Sequence, residues 1–583
     1  MVVMRCQAVL LCCLSLASAH LCQAADDPIL ARHLRRPVAM AKAGGRLVVA
    51  NRRSGTVTLI DRRSHRVVRE IEAGRALSDV VALPGSDVVL VTDEAGHQLL
   101  GIRTGTEPGV VWRLGVPRSP VSVEVSEDGR RIVVASLWSR RMALLAVDDE
   151  GPTRRPRLVR TVDLPLAPGR VLELPGGRWL VAATFGSRLA ICDPELKLPP
   201  VIRPILGINV GQMALSSNRR HILLPHQLMD AKAETTRDGV HWGGVMLNVV
   251  RTVPVASLES DPARMQSRLG LDYVGIPDRA AGDPAAIVLG HNDLRVVVLS
   301  GVHELVTSTD GIQYYGRQPL PAGPSSVVLD DRGRRAWVAS RFADSVSLVS
   351  LDPLEVLETI ELGPSPELQS RDRGEQLFHD ARLSSDGWIS CRSCHTRGHT
   401  NGGRSDTLGD GGFGAPKKVL SLLGSAQTGP WAWDGSARSL EDQVAKSVRL
   451  TMHGESLSDS QVVDITTYLR SLPPAPSLAA ARQTRDLEVL KRGRSVFVRS
   501  GCISCHAPPT YTSAATYDVG LADESGRRRF NPPSLRGVSQ RDAYFHDNRA
   551  SSLADVIGRF RHGLDAPLTP RDCTDLLHFL ESL

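Results

Sequence analysis

Gly44-Gly-Arg-Leu-Val-Val-Ala-Asn51 opens a unit that continues as Gly55-Thr-Val-Thr-Leu-Ile-Asp61 and ends as Val67-Val-Arg-Glu-Ile-Glu-Ala-Gly74. Short apolar runs between turn residues are typical of β-strands, and their regular recurrence at about 45–50 residues is typical of propeller blades. A clear last copy spans residues 332–363. Weaker copies begin near Gly85, Gly129, Gly176, Arg219 and Ala285. These seven units predict an all-β, seven-bladed propeller over residues 26–365.

One blade carries an insertion, from Pro225 to Gly244. Its polar composition favours a surface loop, because connecting segments usually run over the protein surface. The alternative is that His226, Asp230 and His241 face a site.

The first 25 residues have the features of a secretory signal peptide. Arg5 provides a positive charge, residues 8–19 are mostly apolar and small, and cleavage is expected near Ala24 or Ala25. No other run approaches the ~20 apolar residues that a membrane-spanning helix needs. The sequence therefore predicts a periplasmic or otherwise exported protein without a transmembrane segment.

Two copies of the pattern C-x-x-C-H follow the repeats, Cys391-Arg-Ser-Cys394-His395 and Cys502-Ile-Ser-Cys505-His506. This is the attachment motif of c-type haem, in which both thiols bind the porphyrin and the imidazole becomes an axial ligand of iron. Paired zinc or disulfide sites are the alternative. We predict two covalently bound haem c groups, with His395 and His506 as proximal iron ligands. Calcium is considered as a further ion, without assigned residues.

The region after residue 365 is internally duplicated. Each half has a Gly followed by an apolar-aromatic pair, then C-x-x-C-H, and ends in an amphipathic helix. Ser458 with Gln461, and Thr569 with Pro570, have the pattern of helix N-termini. The sequence predicts two all-α, cytochrome c-like domains at residues 366–475 and 476–583.

A family resemblance rests on several of these segments. The stretch from Gly374 to His395, the motif Trp433-Asp-Gly435 and the stretch Asn531-Pro-Pro-Ser-Leu-Arg-Gly537 resemble bacterial dihaem cytochrome c peroxidases. The β repeats resemble the YVTN-type propeller repeat. Members of the peroxidase family include hydrogen peroxide reductases and an enzyme that oxidises tryptophans of a protein substrate.

The resemblance implies a role for each haem. The haem on His395 would be the reactive one, and the haem on His506 would take electrons from a small redox protein or a quinol-derived donor. Trp433 would carry electrons between them, unless it is simply a core aromatic residue. The substrate would be peroxide or a compound not identified by the sequence.

The sequence departs from the family at the distal residues. The family places an acidic residue, usually Glu before Met, near the reactive haem, whereas this chain reads Leu450-Thr-Met-His-Gly454. Cleavage of a peroxide O–O bond needs a group that moves a proton. His453 can do this and Thr451 cannot, so His453 and Trp433 are the candidate catalytic residues.

The duplication indicates candidate sixth ligands for the two haem irons. His453-Gly454 and His562-Gly563 occupy matched positions before the last helix of each half. The second half contains no Met, and Phe560 stands where the tryptophan-oxidising relative has a ligand Tyr. His562 is therefore the candidate sixth ligand there, while His453 or Met452 is the candidate ligand of the first iron at rest. Two polar loop histidines are the simpler alternative.

Taken together, these features predict an exported dihaem oxidoreductase of the peroxidase type. The alternative is a non-catalytic electron-transfer protein in which the propeller is a docking or ligand-binding module. The net charge is +7, but the basic residues do not form runs interleaved with aromatic residues. Nucleic-acid binding is therefore not expected.

Overall fold

The computed structural model describes residues 30–147, 154–260, 262–263, 270–309, 314 and 316–583. The expected signal peptide, residues 1–25, lies outside the described residues. Within these ranges, no helix combines the length and the apolar character that crossing a membrane requires.

Seven antiparallel sheets of four strands, each built from four consecutive strands, form the first part of the chain. This confirms the seven-bladed propeller. The strands of the first four blades are Pro37–Ala43, Arg46–Asn51, Thr56–Asp61 and Val67–Glu72; Leu77–Ala82, Val88–Asp93, Gln98–Arg103 and Gly109–Gly115; Pro120–Val125, Arg131–Ser136, Arg141–Ala146 and Arg157–Asp163; Pro168–Glu173, Trp179–Ala183, Arg188–Cys192 and Val201–Pro204. Those of the last three are Ala214–Leu215, His221–Met229, Met246–Pro254 and Leu271–Tyr273; Pro284–Leu289, Arg295–Leu299, Glu304–Ser308 and Gly316–Pro319; Pro324–Leu329, Arg335–Ser340, Ser345–Leu351 and Leu354–Glu361.

Apolar side chains between neighbouring blades form the propeller core. Leu47 and Val49 of the first blade pack in one buried cluster with Trp337 and Val346 of the seventh. The ring is therefore closed by side-chain packing between its two terminal blades, since every blade is made from its own consecutive strands. Pairwise packing of neighbouring blades explains why one sequence unit recurs.

The C-terminal part is helical, which confirms the two all-α cytochrome c-like domains. The insertion in the fifth blade and the segment after it add two short helices, Arg237–His241 and Ser257–Ser260. The helices of the C-terminal part are Ser370–Phe378, Cys391–Cys394, Leu440–Lys446, the π-helical turn Ser447–Thr451, Asp459–Arg470, Leu478–Arg482, Leu487–Arg499, Leu553–Gly558 and Pro570–Glu581. Short 3-10 turns are His291–Asp293, Ala381–Leu383, Ser385–Gly387, Thr396–Gly398, Leu408–Asp410, Ser425–Gln427, Cys502–Ser504 and Val538–Gln540. Two small ribbons pair Arg404–Ser405 with Lys417–Lys418 and Tyr517–Asp518 with Arg529–Phe530.

In each haem domain the first and last long helices cross at a glycine. A Cβ atom on Gly374 would lie 1.9 Å from the carbonyl oxygen of Asp464, and one on Gly493 would lie 2.1 Å from that of Asp575. Both crossings therefore require a residue without a side chain. The duplicated glycines of the sequence are contact points between helices.

An arginine beside each glycine strengthens the same crossing. The Nε and Nη2 atoms of Arg373 donate to the two carboxylate oxygens of Asp464 at 2.7 and 2.9 Å. Arg492 binds Asp575 in the same bidentate way at 2.8 and 3.0 Å. These hydrogen bonds hold the pKa of both carboxyl groups below their ordinary values.

Replacing Gly493 by alanine tests this crossing. Because the added methyl group would overlap a backbone carbonyl of the facing helix, we expect Gly493→Ala to lower the free energy of unfolding by about 1–3 kcal/mol. The measurement is denaturant unfolding followed by haem absorbance and circular dichroism. Gly558→Ala is the matched control, since no atom lies within 4 Å of the position of its Cβ. Equal stability of the two variants would contradict the close crossing.

Candidate haem-binding sites

The first C-x-x-C-H motif lies on one wall of a largely apolar cavity of about 330 Å³. Cys391, Cys394 and His395 line it together, because the short helix Cys391–Cys394 places both thiols and the imidazole on the same side. His395 Nδ1 lies 2.9 Å from the carbonyl oxygen of Leu420. A carbonyl only accepts, so Nδ1 carries the hydrogen and Nε2 is left with the lone pair that an iron ligand needs.

The second motif repeats this arrangement around a separate cavity of about 250 Å³. Cys502, Cys505 and His506 line it, and His506 Nδ1 lies 3.1 Å from the carbonyl oxygen of Tyr511. Burial lowers the pKa of both His395 and His506 to about 4, so both imidazoles are neutral at pH 7. In each cavity two thiols and one oriented imidazole converge on apolar walls, and this donor set fits haem c.

Trp433 forms part of the wall between the two cavities. It lines both of them, and its indole Nε1 donates to the carbonyl oxygen of Lys418 at 2.8 Å. Its ring lies edge-on to His546 and Phe530, with centroids 6.3 and 6.5 Å apart. The indole is thus fixed in orientation between the two haem-binding cavities.

Lys418 and His399 also line both cavities. The ammonium group of Lys418 donates to the carbonyl oxygen of Ala543, and burial lowers the pKa of this lysine to about 7. His399 is almost fully buried, and its ring packs against Phe185 of the propeller at 4.8 Å between centroids. Burial lowers the pKa of His399 to about 3, so it is a neutral packing residue.

The segment 450–454, which the family resemblance places near the reactive haem, contributes Met452 but not His453 to the described lining of the first cavity. Thr451 and Met452 line the cavity, and Met452 is 4% exposed. His453 is not among the described lining residues; its Nε2 lies 2.7 Å from the carbonyl oxygen of Thr235, a propeller residue. In this arrangement the candidate catalytic histidine is hydrogen-bonded to the propeller.

The second cavity contains two buried imidazoles besides His506. His562 lines it with Nδ1 buried and without a hydrogen-bond partner, and the ring packs against Phe545 at 5.3 Å. His546 also has a buried, unpartnered Nε2, but its ring is stacked on Phe530 close to Trp433. Phe560 packs against Phe545 beside His562.

Two further cavity residues were not identified from the sequence. Gln443 lines the first cavity, and its buried Oε1 has no hydrogen-bond partner. The spacing of Leu440, Gln443 and Val444 places all three on one helical face, a signal that could have revealed a buried polar residue. Thr235 also lines this cavity, and no local sequence pattern marks it.

The helix that carries the first motif is anchored on the propeller. Asp283, whose side chain is completely buried, accepts hydrogen bonds from Ser390 Oγ at 2.5 Å and Ser393 Oγ at 2.9 Å. Asn209 of the propeller donates to the carbonyl oxygen of Ser393 at 2.7 Å and accepts from Thr396. The propeller thus supports the haem-attachment helix directly.

A second anchor is an ion pair between the propeller and Arg397, the second residue after the motif. Arg397 Nη2 lies 2.7 Å from both carboxylate oxygens of Glu94, which also pairs with Arg52. Burial alone would raise the pKa of Glu94, but the two arginines lower it to about 2. The carboxylate is therefore ionised at pH 7.

The insertion in the fifth blade is an interdomain contact rather than a free surface loop. His241 Nδ1 lies 2.7 Å from Asp386 Oδ2, and the indole of Trp388 donates to the carbonyl oxygen of His241. His226 is instead buried within the blade, where Arg251 Nε lies 3.2 Å from its Nε2. Asp230 is exposed and accepts from the backbone of Lys232. The three candidate residues of the insertion are therefore not brought together.

Comparison with known proteins agrees with this geometry. Residues 370–475 match the family model described as di-haem cytochrome c peroxidase. The chain is 27% identical over 270 residues to the methylamine utilization protein MauG of Methylorubrum extorquens, covering 36% of this chain and 76% of that protein. It is 23% identical over 302 residues to the cytochrome c551 peroxidase of Nitrosomonas europaea, covering 42% and 88%.

A third relative is a subunit of a differently named enzyme. The chain is 26% identical over 270 residues to the hydrazine synthase subunit gamma of Kuenenia stuttgartiensis, covering 36% of this chain and 76% of that subunit.

One conclusion follows from the two C-x-x-C-H cavities, the tryptophan between them and the matching family model. The C-terminal part of this chain is a peroxidase-like haem oxidoreductase module, similar to the di-haem cytochrome c peroxidases whose family model matches residues 370–475, and it is joined to a seven-bladed β-propeller.

Proposed function

We propose that the protein is an exported peroxidase that takes electrons from a redox donor at its second haem site and reduces peroxide at its first. Two electrons and two protons convert one hydrogen peroxide molecule to two water molecules. Bound haem c would supply the iron that binds peroxide and the redox centres that hold the electrons. The observation that carries the proposal is the position of Trp433 on the wall shared by both cavities.

The two attachment motifs differ in exposure. This difference supports assigning the donor site to the second haem and the substrate site to the first. Ile503, inside the second motif, is 36% exposed, and Ser504 beside it is also exposed. At the equivalent place in the first motif, Ser393 is fully buried against the propeller. A protein donor could therefore approach the second attachment motif more closely than the first.

Two residues would handle the proton and the sixth ligand. The hydrogen bond to Thr235 O means that His453 Nε2 carries a hydrogen, so Nδ1 would be the atom that exchanges a proton, from a position beside the described lining of the first cavity. In the second cavity, the buried and unpartnered Nδ1 of His562 supports its role as sixth iron ligand. Phe560 beside it has no donor atom. A six-coordinate iron suits electron transfer rather than substrate binding.

A non-catalytic electron carrier is the second candidate. It is favoured by Thr451, which lines the first cavity where peroxidases of the family have an acidic residue. The two functions differ in whether an external ligand reaches the first iron. Peroxide-dependent oxidation of a donor by the purified dihaem protein supports the enzyme, whereas electron exchange without peroxide turnover supports the carrier.

Removing the second attachment motif tests the haem assignment. Because each motif has its own cavity, we expect Cys502→Ala combined with Cys505→Ala to retain one covalent haem, on His395. Haem-stained denaturing gels and intact mass give the count. Cys192→Ala is the control and should keep two haems, since Cys192 lies in the core of the propeller. Loss of both haems from a folded double variant would contradict independent attachment.

Trp433→Phe tests the electron path between the sites. We expect the rate of peroxide turnover with a second-site donor to fall about tenfold, equal to about 1.4 kcal/mol in the barrier, with haem content unchanged. Stopped-flow oxidation of the reduced protein by peroxide measures the step. Trp431→Phe is the matched control, because Trp431 lines the first cavity but not the second. Equal rates in both variants would remove Trp433 from the path.

His562→Ala tests the sixth ligand of the second haem. Loss of the imidazole should convert one low-spin ferric haem to a high-spin form, or to a complex with an added ligand such as imidazole. Electron paramagnetic resonance and absorption spectra report the change. His578→Ala is the control, since this residue lies on the last helix and does not line the cavity. An unchanged low-spin signal in His562→Ala would exclude the ligand assignment.

A further inference from the structure

The propeller insertion contributes to the wall of the first cavity. Between the strands His221–Met229 and Met246–Pro254, the chain leaves the blade and places Thr235 and Val245 among the cavity residues. Thr235 is fully buried, and its backbone N–H donates to the carbonyl oxygen of Asp406 at 3.0 Å. The described lining of the second cavity, by contrast, comes only from residues 399–580. The propeller therefore modifies one of the two sites.

Both backbone polar groups of Thr235 are hydrogen-bonded, but its side-chain hydroxyl is not. Its carbonyl oxygen accepts from His453 Nε2, which fixes the residue beside the distal segment. Its hydroxyl oxygen is buried and has no hydrogen-bond partner. Buried polar atoms in native proteins are nearly always hydrogen-bonded, so an unsatisfied hydroxyl in a cavity wall points to a ligand or water as its partner.

Other unpartnered side-chain atoms of this cavity serve less well as donors to a distal ligand. Gln443 presents an unpartnered Oε1, which only accepts hydrogen bonds. Ser425 has an unpartnered hydroxyl and Arg536 an unpartnered Nε, but the hydrogen bonds of Ser425 and of the Arg536 guanidinium join them to residues 422–431 rather than to the Met452–His453 segment. Thr235 is thus the buried donor that adjoins His453.

We infer that Thr235 is a ligand-positioning residue that the propeller contributes to the first haem site. Its hydroxyl donates a hydrogen bond to a small anionic or peroxidic ligand bound on the distal side. The inference rests on the proposed function in so far as the natural ligand is peroxide. The hydrogen bond itself requires only that a small ligand enters the first cavity.

Cyanide binding to the ferric dihaem protein tests this role without relying on turnover. Thr235→Val keeps the shape of the side chain and removes the donor. Loss of one hydrogen bond to a bound anion should weaken cyanide binding by about five- to tenfold. Thr235→Ser keeps a hydroxyl and should restore most of the affinity. Absorption titration gives the dissociation constant, and paramagnetic resonance identifies the haem that binds.

Thr252→Val is the matched control, because Thr252 also has a buried, unpartnered hydroxyl but does not line the cavity. It should bind cyanide as the unaltered protein does. Equal affinities of Thr235→Val, Thr252→Val and the unaltered protein would overturn the inference, as would failure of the unaltered protein to bind cyanide. A Thr235 effect on cyanide in a protein without peroxide turnover would reject the proposed peroxidase function and leave the inference standing.

Discussion

A single buried carboxylate, that of Asp283, joins the propeller to the haem-attachment helix. It is fully removed from water and is compensated by the hydroxyls of Ser390 and Ser393, with Arg392 3.5 Å away. A buried charge is tolerated only where hydrogen bonds and opposite charge replace its hydration, and leaving it unpaired is strongly destabilising. Ser390 is also the N-cap of the helix that carries Cys391 and Cys394. The propeller thereby fixes the start of the helix on which the first haem would be attached.

One face of the propeller therefore has a structural role, because it holds the haem-attachment helix in place. Glu94 with Arg397, and Asn209 with Ser393, extend the same contact. The second haem domain lies on the propeller too, where Asp542 pairs with Arg140 and Arg188 at 3.1 and 2.8 Å. The chain itself occupies these positions of the propeller, so a partner cannot dock on them. Under the proposed function, a redox donor would approach the exposed second attachment motif.

Most of the architecture could be predicted from the sequence, because its signals are local and repeated. The glycine turns and apolar runs of the blades recur at a fixed interval, and the N-caps Ser458 and Thr569 precede helices that begin at the next residue. In the C-x-x-C-H motif, the two haem-attaching cysteines and the histidine all lie within about one helical turn. Each of these patterns is determined by residues that are neighbours in the chain.

The cavity walls could not be predicted in the same way, because they combine residues that are distant in the sequence. Thr235 reaches the first cavity from a blade insertion, and His453 meets Thr235 across 218 positions. A polar residue such as Gln443 could have been suspected from helical spacing, but its unpartnered atom is visible only in the folded chain. The contacts that determine the polarity of the site are the tertiary contacts.

The two cavities therefore differ in the residues that form their walls, although the two haem domains are duplicates. Both use the same helix crossing at a glycine and the same carbonyl hydrogen bond to the proximal histidine. The haem module of this chain has propeller residues, Thr235 and Val245, in the described wall of its first cavity alone. The first attachment motif is covered by the propeller at Ser393, whereas the second is exposed at Ile503 and Ser504. Under the proposed function, changes in the blade insertion would alter ligand binding at the first haem site without altering electron entry at the second.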